Sequence, residues 1–125
     1  MKVLVIEDEP LIRDIYAEFL ELLGHEADVA GDGREGLQRF DPLVHKVVVT
    51  DFLMPGLTGL EIAEAIRERS RATPVVLISG SAEQPDETRA VEAGLRFLRK
   101  PVSFAQFKAM LEALVATAGA EQQDE

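Results

Sequence analysis

Short apolar segments that alternate with helical patterns constrain the fold of this chain more than any other feature. Val3–Ile6, Val47–Thr50 and Val75–Ser79 are nearly continuous apolar runs, and weaker strands are predicted at Ala27–Ala30 and Arg96–Arg99. Continuous apolar strands, as opposed to alternating ones, are typical of a parallel sheet that helices cover on both faces. We therefore expect a single-domain, doubly wound α/β fold with a five-stranded parallel sheet in the order 2-1-3-4-5.

Residues that start or end helices mark the segments between the strands. Pro10 and Gly24 bound the first helix, and Asp32, Thr58 and Ser103 occupy capping positions for three others. The side chains predicted to face the core are Ile12, Ile15, Tyr16, Phe19 and Leu23; Leu37 and Phe40; Leu60, Ala63 and Ile66; and Phe104, Phe107, Leu111 and Leu114. A further helix is predicted from about Pro85 to Ala93. Of the predicted helices, it has the fewest large aliphatic residues on its apolar face. It is therefore either an ordinary surface helix or an element that can change position at a low cost in free energy.

Length and composition narrow the functional classes. The chain has 125 residues, which predicts one domain at residues 1–117 and an acidic tail or linker stump at 118–125. A net charge of -10 argues against direct binding to nucleic acid or anionic membranes. There is no cysteine, no signal-peptide pattern and no apolar run of membrane-spanning length, so a cytoplasmic location is expected. His25 and His45 are predicted to be plain surface residues outside the functional site.

Acidic, basic and hydroxyl side chains stand at the ends of four predicted strands. Glu7 and Asp8 follow the first strand, Asp51 ends the third, Ser79 ends the fourth and Lys100 follows the fifth. In a parallel sheet these ends share one edge, where ligands of open α/β sheets bind. Converging carboxylates repel one another unless a cation is present, and oxygen-only ligation suits Mg²⁺. Taken one at a time, a solvated acidic loop, a surface lysine and a turn serine remain open alternatives.

The joint pattern resembles a known family. The residues that carry the resemblance are Glu7-Asp8, Asp51 with Met54-Pro55-Gly56 and Gly59 behind it, Ser79, and Lys100-Pro101. They resemble the receiver domain of response regulators in two-component signalling, over residues 1 to about 117. The resemblance implies a flavodoxin-like fold, a cis Lys100–Pro101 bond, and Asp51 as the acceptor of a phosphoryl group from phosphohistidine.

The resemblance also implies roles for the remaining site residues. Mg²⁺ would be bound by Asp8 directly, Glu7 through water, Asp51, and the backbone carbonyl of Leu53. Lys100 and Ser79 would contact the phosphoryl group, and Ser79 with Phe97 would form the switch. No enzymatic activity is implied beyond Mg²⁺-dependent self-phosphorylation and autodephosphorylation.

The same resemblance suggests partners and an output surface. The phosphodonor would be a sensor histidine kinase or a phosphotransfer protein, and the recipient of the signal a downstream protein or a fused output domain. We expect the output face to comprise the helix near Pro85–Ala93, the strand Arg96–Arg99 and the helix from Ser103. Phosphorylation-dependent homodimerisation through that face is one expected form of output.

Two other functional classes share this topology. A flavin-binding domain needs a phosphate-binding loop after the first strand, where Glu7-Asp8-Glu9 would repel phosphate. An aspartate-nucleophile phosphatase needs a second aspartate two residues after the nucleophile, where this chain has Leu53. Flavin absorbance and turnover of a generic phosphomonoester would discriminate these classes from a phosphorylated switch.

Overall fold

A five-stranded parallel sheet in the order β2-β1-β3-β4-β5 organises the protein, as the sequence predicts. The computed structural model describes residues 1–80 and 95–123, with side chains through Ala116. The predicted helix from Pro85 to Ala93 therefore lies outside the described residues. The elements in chain order are β1 (Lys2–Ile6), α1 (Pro10–Leu22), β2 (Glu26–Ala30), α2 (Gly33–Arg39), β3 (His45–Asp51), α3 (Gly59–Arg69), β4 (Val75–Ser79), β5 (Arg96–Arg99) and α4 (Phe104–Gln123).

The predicted capping residues begin and end the helices. Thr58 and Glu61 form a complete capping box at the start of α3, and Asp32 accepts a hydrogen bond from the backbone N–H of Glu35 at the start of α2. The Ser103 hydroxyl accepts from the backbone N–H of Gln106 before α4. Gly24 follows α1 with a φ of +83°, a conformation that favours glycine. Local sequence therefore sets where the helices begin and end.

The sheet separates two apolar cores. Val3 and Val5 of β1 face one core and Leu4 and Ile6 the other, because successive strand side chains point to opposite faces. Helices α1 and α4 cover the first core, and α2 and α3 cover the second. Each fully buried large apolar side chain contributes about 1.5–3 kcal/mol relative to exposure. No helix in the described residues is long and apolar enough to cross a membrane.

The buried stripe of α1 differs from the predicted one. Ile15, predicted to face the core, is 46% exposed, whereas Leu20 is fully buried. Tyr16 and Leu20 are four residues apart and point at the sheet together, which leaves Ile15 at the border of the stripe. Phe104 of α4, also predicted inward, is 37% exposed. It stays in contact with the ring of Phe19 at 5.3 Å between centroids.

The prediction that His45 is a surface residue is wrong. Its side chain is 2% exposed at the start of β3, and its Nε2 lies 2.7 Å from Oδ2 of Asp28 on β2. The backbone N–H of Asp41 donates to its Nδ1 at 3.0 Å. Since Nδ1 accepts, the ring proton is on Nε2 and is donated to Asp28. Burial here depends on partners distant in sequence, which a local pattern does not reveal.

Replacing His45 with phenylalanine should destabilise the fold. The variant keeps an aromatic ring against Phe40 but leaves the Asp41 N–H without its acceptor. We expect the free energy of unfolding in urea to fall by about 1–3 kcal/mol, because the bonds to Asp41 and Asp28 are both lost and each typically contributes about 0.5–1.5 kcal/mol. Asp28→Asn is the matched control, because it retains a neutral acceptor and should cost less. Unchanged stability of His45→Phe would show that the histidine network contributes nothing.

Candidate functional site

The predicted site residues meet at the carboxyl edge of the sheet. Glu7 and Asp8 follow β1, Asp51 ends β3, and Lys100 follows β5. Glu7, Asp8 and Asp51 each direct a carboxylate oxygen to a common point, all within 4.8 Å of one another. Because β1 and β3 are adjacent and in parallel register, their ends coincide, and this brings the acids together. The geometry thus matches the predicted acidic cluster.

Lys100 places an ammonium group in this cluster. Its Nζ lies 3.1 Å from Oδ2 of Asp51 and 3.8 Å from Oε2 of Glu7. The two carboxylates are 4% and 1% exposed, so the ion pairs are shielded from water on the acidic side. The Lys100–Pro101 peptide bond is cis, as the resemblance implied. Lys100 therefore pairs with the acidic cluster and is not an isolated surface charge.

Glu7 is a buried acid with a perturbed affinity for protons. Burial, and then the charge of Asp51, raise the pKa of Glu7 to about 7 from an ordinary value of 4.5. The backbone N–H of Glu9, which donates to Oε1 at 3.2 Å, and the charge of Lys100 oppose this rise. Without a further cation, the cluster therefore holds a proton near neutral pH.

Glu7 should make stability depend on pH in the presence of EDTA. The pKa of Glu7 is about 7 in the folded state and about 4.5 in the unfolded state, so protonation of Glu7 favours the folded state. This contribution to stability is complete below about pH 4.5 and is lost as the pH rises through 7. The free energy of unfolding should fall on the order of 2–3 kcal/mol over that window. Glu7→Gln should flatten this part of the profile in urea denaturation at several pH values. Parallel profiles for the parent and the variant would contradict the assignment.

Ser79, Leu53 and Phe97 are the remaining residues to which the resemblance assigns site roles. Ser79 is fully buried at the end of β4, and its hydroxyl has no hydrogen-bond partner within the described part of the chain. Buried hydroxyl groups rarely lack a hydrogen-bond partner, so this hydroxyl is suited to donate to an acceptor that binds beside it. The Leu53 side chain is 57% exposed in the loop after β3. Phe97, on β5, is half-buried against the core beneath α2 and α3.

The first residue of α3 lies close to the backbone of Asp51. The N–H of Gly59 donates to the carbonyl of Phe52 at 2.7 Å, which ties the start of α3 to the end of β3. A Cβ at Gly59 would lie 2.5 Å from the backbone oxygen of Asp51. Only glycine allows this approach, so Gly59 fixes the position of the backbone at the end of β3.

The donor set fits a hard divalent cation. Three carboxylates converge, and two of them are nearly inaccessible to water. Burial, and then repulsion from Asp51, raise the pKa of Glu7. The chain has no cysteine, and His45 lies at the opposite end of β3 from Asp51. Oxygen ligands without nitrogen or sulfur favour Mg²⁺ over zinc.

Sequence reasoning missed one residue of the site. Tyr16 was predicted only as a core residue, yet this 4% exposed side chain is also close enough to the acids for their charges to act on its phenol. Burial raises the pKa of its phenol, and the charges of Glu7, Asp51 and Glu9 raise it further. Its ring stacks on Phe107 at 5.7 Å between centroids. The helical period of α1 predicted burial but not the distance to the acidic cluster.

A doubly wound sheet with an acidic cluster, a lysine and a buried serine at its carboxyl edge defines a receiver-type signalling domain. The chain matches the response regulator receiver domain family over residues 3–112 and belongs to it. It is 31% identical over 116 residues to the two-component response regulator PhoP of Pseudomonas aeruginosa, covering 92% of this chain and 52% of that protein. The transcriptional activator protein PfeR of the same organism is 33% identical over 115 residues, 91% of this chain and 37% of that protein.

Solved structures agree with this assignment. A response regulator receiver domain protein from Clostridium thermocellum has a TM-score of 0.85 at 30% identity, with 95% of this chain and 97% of that chain covered. The chemotaxis protein CheY4 of Vibrio cholerae has a TM-score of 0.80 at 28% identity, with 90% and 97% covered. The chain spans about half or less of the length of the two relatives from Pseudomonas aeruginosa. Membership in the family implies signalling as a phospho-acceptor.

Proposed function

We propose that Asp51 accepts a phosphoryl group from a sensor histidine kinase or a phosphotransfer protein and that the product controls a partner. The observation that carries this proposal is the 3.1 Å pairing of Lys100 Nζ with Oδ2 of Asp51, inside a cluster of carboxylates that cannot all be charged at low cost. An ammonium group beside the acceptor can follow the phosphoryl oxygens as they arrive. The chain's own chemistry then consists of self-phosphorylation and autodephosphorylation.

The transfer requires few groups from the protein. An Asp51 carboxylate oxygen forms a bond to phosphorus while the bond from phosphorus to the donor nitrogen breaks, and the bonding electrons leave with the imidazole. Lys100 pairs with one phosphoryl oxygen. The Ser79 hydroxyl donates to another, which gives this buried donor the acceptor that it lacks among the described residues. The acyl phosphate adds about one to two negative charges at a fixed point.

Mg²⁺ is the proposed cofactor, with Asp8 and Asp51 as direct ligands, Glu7 acting through water and the Leu53 carbonyl completing the protein ligands. When bound, Mg²⁺ supplies positive charge that neutralises the transferring phosphoryl group. The carboxylate cluster supports this assignment because its three oxygens lie within 4.8 Å of one another. Metal binding would also offset the repulsion that raises the pKa of Glu7.

Phosphorylation by a small donor tests the proposed function. Acetyl phosphate with Mg²⁺ should add one phosphate per chain, detected by intact-mass spectrometry. The label should be released by hydroxylamine, as acyl phosphates are, and should not form when EDTA replaces Mg²⁺. Acid-stable phosphoserine, or a mass increase that does not require a divalent metal, would contradict the proposal.

The output face is proposed to lie around β5 and α4, with the segment between β4 and β5. Ser79 and Lys100 contact the phosphoryl group in this proposal and lie at either end of that segment in sequence. Phe97 packs on β5 between them and can change rotamer when the Ser79 loop moves. The recipient is a downstream protein or a fused output domain, and a phosphorylation-dependent homodimer is one form that output would take.

Amide hydrogen exchange should locate this face. A beryllofluoride mimic of the phosphoryl group should change exchange mainly in residues 79–107, and Lys100→Ala should reduce the change without loss of folding, because its ammonium couples the phosphoryl group to β5. A coupling free energy of about 1–3 kcal/mol is sufficient. Changes concentrated on α1 would show that the output face is assigned wrongly, and an unfolded Lys100→Ala would favour a structural role for the lysine.

A further inference from the structure

A cavity of about 450 Å³ opens beside the phospho-acceptor site. Its described walls come from α1 and from the turns that follow β4 and β5, and they comprise Ile12, Ile15, Tyr16, Gly80, Lys100, Pro101 and Val102. Lys100 belongs to both places, since its Nζ lies 3.1 Å from Oδ2 of Asp51. A group bound in this cavity would therefore lie against the lysine that pairs with Asp51. Its volume is within the range of roughly 300–1,000 Å³ that is typical of small-molecule sites.

The walls combine apolar surface with two polar groups. Ile12, Ile15 and Val102 supply aliphatic surface, and Lys100 supplies a cation. Tyr16 supplies a phenol that makes no hydrogen bond with another residue in the described ranges, although the residue is only 4% exposed. The phenol is protonated at neutral pH, so it can donate a hydrogen bond to an acceptor in the cavity. An apolar ring that carries a hydrogen-bond acceptor matches these walls.

Phosphotransfer to Asp51 produces such a group. As the bond from an Asp51 oxygen to phosphorus forms, the bond from phosphorus to the donor atom breaks, and the electron pair leaves with the departing group. From an acyl phosphate this group is a carboxylate, and from an imidazole phosphorylated on one nitrogen and protonated on the other it is neutral imidazole. The leaving group departs on the side of phosphorus opposite Asp51, beyond the phosphoryl oxygens, one of which Lys100 contacts in the proposed reaction. It therefore needs space near Lys100.

We propose that this cavity is the leaving-group subsite of the phosphotransfer reaction, and that it selects small phosphodonors with a ring-sized apolar leaving group over acetyl phosphate. The proposal rests on the function proposed above for Asp51. Ile15 is its main specificity-determining residue. Its apolar side chain lines the cavity from the edge of the buried stripe of α1, and it is 46% exposed, so the core does not depend on it for packing. A methyl group fills little of the cavity, whereas a phenyl or imidazole ring contacts several walls.

Benzoyl phosphate and acetyl phosphate form a matched pair of donors, because benzoate and acetate are leaving groups of similar basicity. We expect the second-order rate constant for phosphorylation of Asp51 to be about tenfold or more higher with benzoyl phosphate, in the range that apolar pockets discriminate. Ile15→Ser should bring the ratio of the two rate constants towards one by slowing the benzoyl reaction alone. Leu22→Ser is the control, since Leu22 is a 68% exposed residue of α1 that is not among the cavity walls.

Binding without reaction gives an independent readout. Tyr16 is the single tyrosine of a chain without tryptophan, so intrinsic fluorescence reports on this wall of the cavity. Benzylphosphonate should change that fluorescence in a saturable manner, and Ile15→Ser should weaken its binding several-fold, whereas methylphosphonate should bind less tightly to both.

Three results separate the possibilities. A ratio of rate constants near one in the parent chain, or a ratio that Ile15→Ser leaves unchanged, would overturn the leaving-group subsite while Asp51 remains the acceptor. Equal binding of the two phosphonates would overturn it as well. Failure of both donors to phosphorylate Asp51 would instead remove the proposed function itself, and the subsite with it.

Discussion

Asp51→Asn should abolish phosphate incorporation from acetyl phosphate and from a protein donor alike. An amide oxygen cannot replace a carboxylate oxygen as the attacking group, because the product would not be a stable acyl phosphate. The two side chains have nearly the same shape, so the end of β3 and the contact with Gly59 should persist. The expected loss is complete within the detection limit of intact-mass spectrometry, and phosphorylation should not move to another residue.

A matched control is available on α1. Asp14 is an exposed aspartate close in sequence to the acidic turn, and Asp14→Asn removes the same charge without touching the cluster. It should be phosphorylated at the rate of the parent chain. Asp51→Asn should also lower the pKa of Glu7, because the charge of Asp51 is the second largest cause of its rise. Undiminished labelling of Asp51→Asn would overturn the assignment of the phospho-acceptor.

Asp8→Asn should weaken Mg²⁺ binding by more than about tenfold. We propose Asp8 as a direct ligand, and even partners one shell further from a metal typically cost 10–100-fold when removed. Glu7→Gln should cost less, because Glu7 is proposed to act through water. Its effect should also grow from pH 6 to pH 8, since the parent's Glu7, with a pKa of about 7, must lose its proton before its charge can help. Calorimetric titration with Mg²⁺ at the two pH values measures both effects.

Glu9→Gln controls for net charge in the same turn. Glu9 is exposed and is not a member of the convergent cluster, so its loss should weaken Mg²⁺ binding only through screened Coulomb interactions. Equal losses for Asp8→Asn and Glu9→Gln would mean that charge, and not ligation, accounts for the affinity. Parent-like binding of Asp8→Asn would remove Asp8 from the proposed ligands.

The sequence alone predicted the architecture and the edge of the sheet where the acidic cluster lies. Continuous apolar strands require cover on both faces, and the caps at Asp32, Thr58 and Ser103 are local features that depend on neighbours within one turn. The acids, Ser79 and Lys100 could be placed together because parallel strands bring their carboxyl ends to one edge. This inference needs only the order of the strands and no knowledge of side-chain contacts.

Tertiary packing decided what depends on residues far apart in the chain. His45 is buried where Asp28, on another strand, accepts a hydrogen bond from its Nε2–H. Ile15 is exposed and Leu20 buried because the orientation of α1 on the sheet, and not its apolar period alone, selects the stripe that packs. Glu7 has a raised pKa because strand pairing buries it next to Asp51. Burial and electrostatic coupling act through space, so these properties appear only once the strands and helices are packed together.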